Sequence, residues 1–175
     1  MQSRRGFLKG SARAATALGL LPVGALAQNS PPAPGRVMSV LSDYMSAARG
    51  KALPDDVTEQ AKLHLLDTIA AMISGSELPP GQAAQRYVRE HGGNGAVSVV
   101  GSMLTAAPID AALANGVMAH ADETDDSHNE SRSHPGCAVV PAALAAGEAY
   151  GIDGAVLLRA VALGYDIGTR VVMAM

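Results

Sequence analysis

Two alanine-rich stretches that are nearly free of charge, residues 108–120 and 137–150, constrain the fold of this chain more than any other feature. Their small apolar side chains are typical of buried helices whose backbones approach each other closely. The chain offers little aromatic bulk, because its 48% hydrophobic residues include no Trp, one Phe and four Tyr. Such a composition favours packed helices over a β-sandwich. We therefore predict an all-α fold, a bundle of about six helices.

The individual helices are predicted from apolar residues that recur at three- and four-residue steps and from the glycine and proline breaks between them. The predicted helices cover residues 37–48, 54–75, 82–91, 108–120, 137–150 and 154–175, the last interrupted at Gly164. Residues 77–81 are predicted to form a proline-rich turn. Val97–Val100 is a short β-like run, which predicts an extended connector or a small hairpin and not a β domain.

The first 36 residues are predicted to lie outside this domain. Residues 3–9, SRRGFLK, resemble the twin-arginine export motif, and residues 25–27, ALA, fit a small-x-small cleavage site. We predict a signal peptide at 1–27, a proline-rich linker at 28–36 and the domain at 37–175. The expected export partner is the twin-arginine translocase, and the expected location is the periplasm. The apolar part of the signal is too short to form a permanent membrane anchor.

Charge and cysteine content exclude one class of partner and one source of stability. A net charge of −3 provides no basic surface for phosphate backbones, so no nucleic-acid partner is predicted. The single cysteine, Cys137, cannot form an intramolecular disulfide. Stability must therefore come from packing or from partner subunits.

Polar residues concentrate in residues 120–136, between the two alanine-rich helices. Three of the five His and five of the 16 acidic residues fall in this segment. A polar loop between buried walls predicts a pocket in which desolvation and mutual repulsion raise carboxylate pKa values. A nearby imidazole adds the group that titrates closest to neutrality. This arrangement favours general acid–base chemistry.

Two other interpretations of the same loop stay open. Asp, Ser and Asn are also the residues that a solvated turn or a helix cap uses. Metal ligation is a second alternative, because the loop contains imidazoles and carboxylates, although their spacing matches no specific metal motif. The possible ligands are His120, Asp122, Asp126, His128 and His134.

Several ordered motifs resemble the MmgE/PrpD family, which includes 2-methylcitrate dehydratase and cis-aconitate decarboxylase. The resemblance extends from about residue 40 to residue 175. Its motifs are Asn115-Gly116, Ala119-His120, the acidic run, His134-Pro135-Gly136, PAALA at 141–145 with Glu148, LDTIA at 66–70, and GYDI at 164–167 with Arg170. The resemblance implies an all-α domain that is normally completed by a smaller α+β domain, usually in a homodimer. It also implies dehydration or decarboxylation of a small polycarboxylate without a metal or cofactor.

The resemblance also assigns site residues. The family's active-site Asp, Thr and His align with Glu123, Ser127 and His134, so the first two positions differ from the commoner residues, and Asp122 could replace Glu123. We predict that His134 transfers protons, that Glu123 or Asp122 is its partner acid or base, and that Ser127 orients the substrate. The predicted substrate-binding residues are His120, Asp126, His128 and Arg132.

The predicted activity is that of a carbon–oxygen lyase (hydro-lyase). An isomerase or epimerase on the same fold is one alternative, because an abstracted proton can return to the other face of the carbon. A non-catalytic binding or interaction module is another. Since residues 171–175 read as helix and family members are several hundred residues long, we expect the chain to be incomplete and inactive alone.

Overall fold

The computed structural model describes residues 35–175, and six helices with one small hairpin make up this part of the chain. The helices are α1 (Arg36–Ala48), α2 (Asp55–Ser76), α3 (Pro79–His91), α4 (Pro108–Ala119), α5 (Gly136–Tyr150) and α6 (Gly154–Met173). The hairpin, between α3 and α4, joins β1 (Val97–Ser98) to β2 (Thr105–Ala106). The predictions of an all-α fold and of a small hairpin are therefore confirmed. The predicted signal peptide and most of the predicted linker lie outside the described residues.

The described residues divide into two compact units. Residues up to Asp43, which include the first part of α1, form one unit, and Tyr44–Met175 form the other. The core and the loop at 120–136 both belong to the second unit. Among the described helices, none is long and apolar enough to span a membrane.

The helices agree with the prediction to within two residues except at one boundary and one predicted interruption. The third helix begins at Pro79, within the predicted turn, because proline suits the first turn of a helix, where its missing N–H is not needed. The last helix continues through Gly164, so the predicted interruption is wrong. A Cβ atom at Gly164 would lie 2.5 Å from Cγ1 of Val139. The glycine therefore allows α6 to approach α5 and does not end the helix.

The core surrounds α4, which packs against α2, α3 and α5, while α6 packs against α2 and α5. Small residues permit these close contacts. A Cβ atom at Gly75 of α2 would lie 1.9 Å from the carbonyl oxygen of Met118, so the two helices nearly touch backbone to backbone. The fully buried core residues of α4 are Ala111, Ala114, Met118 and Ala119. This packing places the C-terminal end of α4, and the loop that follows it, beside α2.

Asn115 anchors the hairpin to α4. Its side chain is 1% exposed, its Oδ1 accepts from the backbone N–H of Val100 at 2.9 Å, and its Nδ2 donates to the carbonyl of Ser98 at 3.0 Å. The Ser98 N–H donates in turn to a carboxylate oxygen of Glu148 on α5 at 2.5 Å. Buried polar groups are tolerated when they are paired in this way. The hairpin thus links Asn115 of α4 to Glu148 of α5.

Candidate active site

The polar loop leaves the end of α4 at His120 and enters α5 at Gly136. Its centre is a tight turn in which His128 pairs with Ser133 through an isolated antiparallel bridge. Two non-glycine residues of the loop have a positive φ, Glu123 at 55° and Arg132 at 50°. Arg132 lies within the turn that the His128–Ser133 bridge closes, and Glu123 lies near the start of the loop.

A buried carboxylate with two histidines lies where the ends of the loop meet, and we call His120, Asp125 and His134 the histidine cluster. The Asp125 side chain is 0% exposed, whereas the rings of His120 and His134 are 45% and 36% exposed. Nδ1 of His120 lies 3.1 and 3.2 Å from the two carboxylate oxygens. Nδ1 of His134 lies 3.4 Å from Oδ1, and the two ring centroids are 5.1 Å apart.

The two imidazoles contact Asp125 in different ways. His120 forms a hydrogen bond with the carboxylate, which favours the tautomer with its proton on Nδ1. His134 lies within ion-pair distance, but its shielded Nδ1 makes no hydrogen bond to any described residue. A hydrogen bond to Asp125 therefore fixes the His120 ring, whereas the His134 ring lies beside the same carboxylate without one.

Asp125 was absent from the predicted site. Its neighbour Asp126, predicted to bind substrate, has protein partners on both oxygens and a side chain that is 11% exposed. Oδ1 accepts from the Gly136 N–H at 2.9 Å, and Oδ2 accepts from the Tyr165 hydroxyl at 2.6 Å and lies 3.2 Å from Nδ1 of His64. Burial, followed by the hydrogen bond to Asp126, raises the pKa of Tyr165 well above its usual range, so the phenol stays a donor.

Asp122 is held by hydroxyl groups and lies at the side of α2. Ser74 Oγ donates to one of its oxygens at 2.6 Å, and Thr124 Oγ1 donates to the other at 2.7 Å. These hydrogen bonds, with that of Ser74 the stronger influence, lower the pKa of Asp122. The direction is opposite to the raised carboxylate pKa values that the sequence predicted for this loop. The reason is that hydrogen bonds to the charged form outweigh the small loss of solvation.

The remaining predicted residues are solvent-accessible. Within residues 35–175, the side chains of Glu123, Ser127 and Arg132 form no hydrogen bond or ion pair, and all three are exposed. His128 stabilises the turn, with Nδ1 at 2.9 Å from Ser131 Oγ and Nε2 at 3.5 Å from a Glu130 carboxylate oxygen. No Lys or Arg of the described residues pairs with a carboxylate of the loop.

The histidine cluster also has the donor set of a metal site. One ligand atom from each of its three residues lies within 4.8 Å of the others. Two imidazole nitrogens and a carboxylate oxygen suit a divalent first-row metal. The same atoms suit a shared-proton arrangement, and the prediction that the site needs no metal stays a prediction.

Cys137, the second residue of α5, has a thiol whose pKa depends on the charge of Asp125. Burial, together with that charge, raises the pKa of the Cys137 thiol to about 11, and the thiol donates a hydrogen bond to the carbonyl oxygen of His134 at 3.1 Å. Because the thiolate is the reactive form, we expect iodoacetamide at pH 8 to label Cys137 on the order of 100-fold more slowly than an exposed cysteine. Labelling should accelerate as the pH rises towards 11.

Asp125→Asn tests the origin of that shift, since removing the negative charge favours the thiolate and should speed labelling at pH 8. Asp110→Asn is the matched control, because Asp110 accepts a hydrogen bond from Tyr87 elsewhere and should leave the rate unchanged. Equal labelling rates in both variants would contradict the proximity of Asp125 to the thiol.

Comparison with known proteins identifies a family and several relatives of this chain. Residues 39–175 match the MmgE/PrpD N-terminal domain. The chain is 31% identical over 148 residues to a cis-aconitate decarboxylase-like protein, oryM, of Aspergillus oryzae, an alignment that covers 81% of this chain and 31% of the relative. It is 30% identical over 140 residues to a cis-aconitate decarboxylase of Aspergillus terreus, covering 77% of this chain and 29% of that protein.

A further cis-aconitate decarboxylase, from Aspergillus terreus strain NIH 2624, is 32% identical over 124 residues and aligns with 68% of this chain and 25% of its own length. The chain thus spans less than a third of the length of these curated relatives. The match to the domain includes α2 to α6 and the whole polar loop. The chain therefore belongs to the MmgE/PrpD family, and its candidate active site lies within the N-terminal domain of that family.

Proposed function

We propose that this chain contributes the proton-transfer site of a lyase that removes CO2 or water from a small polycarboxylate. The observation that carries the proposal is the fully buried Asp125 carboxylate between the half-exposed imidazoles of His120 and His134. Membership of the MmgE/PrpD family and the decarboxylase names of its relatives support the same class of reaction.

Both reactions need a group that exchanges a proton with carbon. In dehydration a base removes a proton from the carbon next to a carboxylate, while an acid protonates the departing hydroxyl. In decarboxylation the carbon–carbon bond to the carboxylate breaks, its electron pair stays on the carbon skeleton, and an acid protonates that skeleton. An imidazole can fill either role near neutral pH, and a buried carboxylate stabilises the imidazolium form.

We assign the proton transfer to His134, because its ring contacts Asp125 without being fixed by a hydrogen bond. Between the two candidate partner carboxylates, we favour Glu123. Its side chain is exposed and unpaired within residues 35–175, whereas hydrogen bonds keep Asp122 ionised. Ser127 would orient the substrate, and Arg132 is an unpaired cation of the loop that could bind a substrate carboxylate.

The test is product analysis with the protein that carries this domain. The names of the relatives make cis-aconitate the first substrate to assay for CO2 release. The hydro-lyase prediction makes 2-methylcitrate the second, assayed for loss of water. We expect turnover of one of them by NMR in deuterated buffer. Deuterium exchange at carbon without loss of CO2 or water would indicate the isomerase alternative, and no change in either acid would contradict the proposal.

We also propose that residues 1–27 direct export to the periplasm by the twin-arginine translocase. Replacing both Arg4 and Arg5 with Lys should leave the protein in the cytoplasm, because the motif requires the arginine pair. Cell fractionation and immunoblotting measure this, with Arg36→Lys as a control outside the signal. Unchanged periplasmic protein in the double variant would contradict the assignment.

A further inference from the structure

Two consecutive carboxylates of the loop point to different partners. Asp125 contacts the imidazoles of His120 and His134, whereas Asp126 contacts the backbone of Gly136 and the side chains of Tyr165 and His64. The first carboxylate therefore holds the rings of the proposed site. The second carboxylate, Asp126, accepts a hydrogen bond from the backbone N–H of Gly136, which lies two residues after His134.

The Asp126 contacts depend on a tightly packed junction of α2, α5 and α6. A Cβ atom at Gly136 would lie 2.5 Å from Asp126 Oδ1, 2.7 Å from Thr68 Oγ1 and 2.8 Å from the Tyr165 hydroxyl. Only glycine leaves room for the carboxylate to reach the N–H. The bond also satisfies a free donor at the N-terminus of α5, where the helix dipole favours a negative charge.

Tyr165 connects this junction to the rest of the core. Its hydroxyl donates to Asp126 at 2.6 Å, and its ring lies against the ring of His64, with centroids 4.5 Å apart. Because Tyr165 lies on α6 and His64 on α2, the Asp126 carboxylate is held between two helices that pack against each other. The contacts with Tyr165 and His64 therefore restrain the Asp126 carboxylate from two sides.

We propose that Asp126 and Tyr165 are positioning residues for His134. They fix the start of α5, and thereby keep the His134 ring beside Asp125, without contacting substrate. This inference rests on the proposed role of His134 in proton transfer, and it replaces the sequence-based interpretation of Asp126 as a substrate-binding residue.

Tyr165→Phe tests the proposal, because it removes one hydroxyl and retains the ring. Tyr44→Phe is a matched control, since Tyr44 also donates to an aspartate on α6, Asp166, at 2.8 Å but away from the loop. The first measurement is the 15N chemical shifts of the His134 ring in the purified chain, which report its tautomer and hydrogen bonding without any substrate. We expect these shifts to change in Tyr165→Phe and to stay the same in Tyr44→Phe.

The second measurement is steady-state kinetics in the protein that carries this domain. Small displacements of a reacting group are costly, so Tyr165→Phe should reduce kcat by about 10- to 100-fold. KM should change by less than about twofold, because substrate binding is not altered. A raised KM with unchanged kcat would instead support a substrate-binding role and overturn the proposal.

Asp126 variants provide an independent arm. Asp126→Asn keeps an acceptor for the Gly136 N–H, whereas Asp126→Ala removes it, so the Asn variant should retain His134 shifts closer to those of the unmodified chain. If Asp126→Ala does not fold, Asp126→Asn and Tyr165→Phe still test the proposal. Unchanged His134 shifts in these two variants would overturn the positioning role. If the shifts change but the protein has no lyase activity, the positioning role stands and the proposed function is contradicted.

Discussion

Replacing His134 with Ala is expected to reduce kcat/KM by about a thousandfold in the protein that carries this domain, with the effect mainly on kcat. General acid–base groups contribute roughly 10²- to 10⁴-fold to a rate. His120 stays in the His134→Ala variant with its Nδ1 bonded to Asp125, so the expected loss lies in the middle of that range. Measurement of initial rates over a range of substrate concentrations separates kcat from KM.

The control for this prediction is His91→Ala. His91 lies at the end of α3, exposed, and contacts Glu90 and Tyr87. Its removal should leave kcat/KM within about twofold, because it lies outside the loop. His134→Ala must also keep its helical circular dichroism, so that loss of activity does not reflect unfolding. A folded His134→Ala protein with more than a tenth of normal turnover would exclude His134 as the proton-transfer residue.

The helices could be predicted from the sequence because apolar periodicity and helix-breaking residues act locally. Where the prediction was wrong, tertiary packing or the position within the helix decided the outcome. Gly164 looks like a helix break in the sequence, but its missing side chain is what lets α6 approach Val139. Pro79 looks like a turn residue, yet proline in a first helical turn costs nothing.

The candidate site could be predicted only in outline. The position of the loop between two nearly uncharged helices predicted a site that contains His120 and His134. It did not distinguish Asp125 from Asp126, because adjacent carboxylates look alike until the fold determines which one is buried with the rings. Tyr165 is 39 positions from its partner, so no local pattern links the two residues, although it lies in one of the motifs that resemble the family.

The largest effect on stability is expected from Gly75→Ala, which should lower the free energy of unfolding by about 3 kcal/mol. A Cβ atom there would lie 1.9 Å from the Met118 carbonyl oxygen and 3.0 Å from Cβ of Ala121. The nearest atoms belong to the backbone of α4, so no side-chain rotation relieves the clash, and α2 must move away from α4. That movement also separates Ser74 from Asp122, whose hydrogen bond joins α2 to the loop.

Gly168→Ala is the matched control, and its effect should have the opposite sign. Gly168 lies within α6, and nothing lies within 4 Å of a Cβ atom added there. Because alanine loses less backbone entropy than glycine on folding, this variant should gain about 0.5–1 kcal/mol. Urea unfolding followed by circular dichroism measures both variants in the same chain. Because both variants make the same Gly→Ala exchange within a helix, the difference between them measures the α2–α4 contact and not helix propensity. Equal changes in the free energy of unfolding would contradict the importance of the contact at Met118.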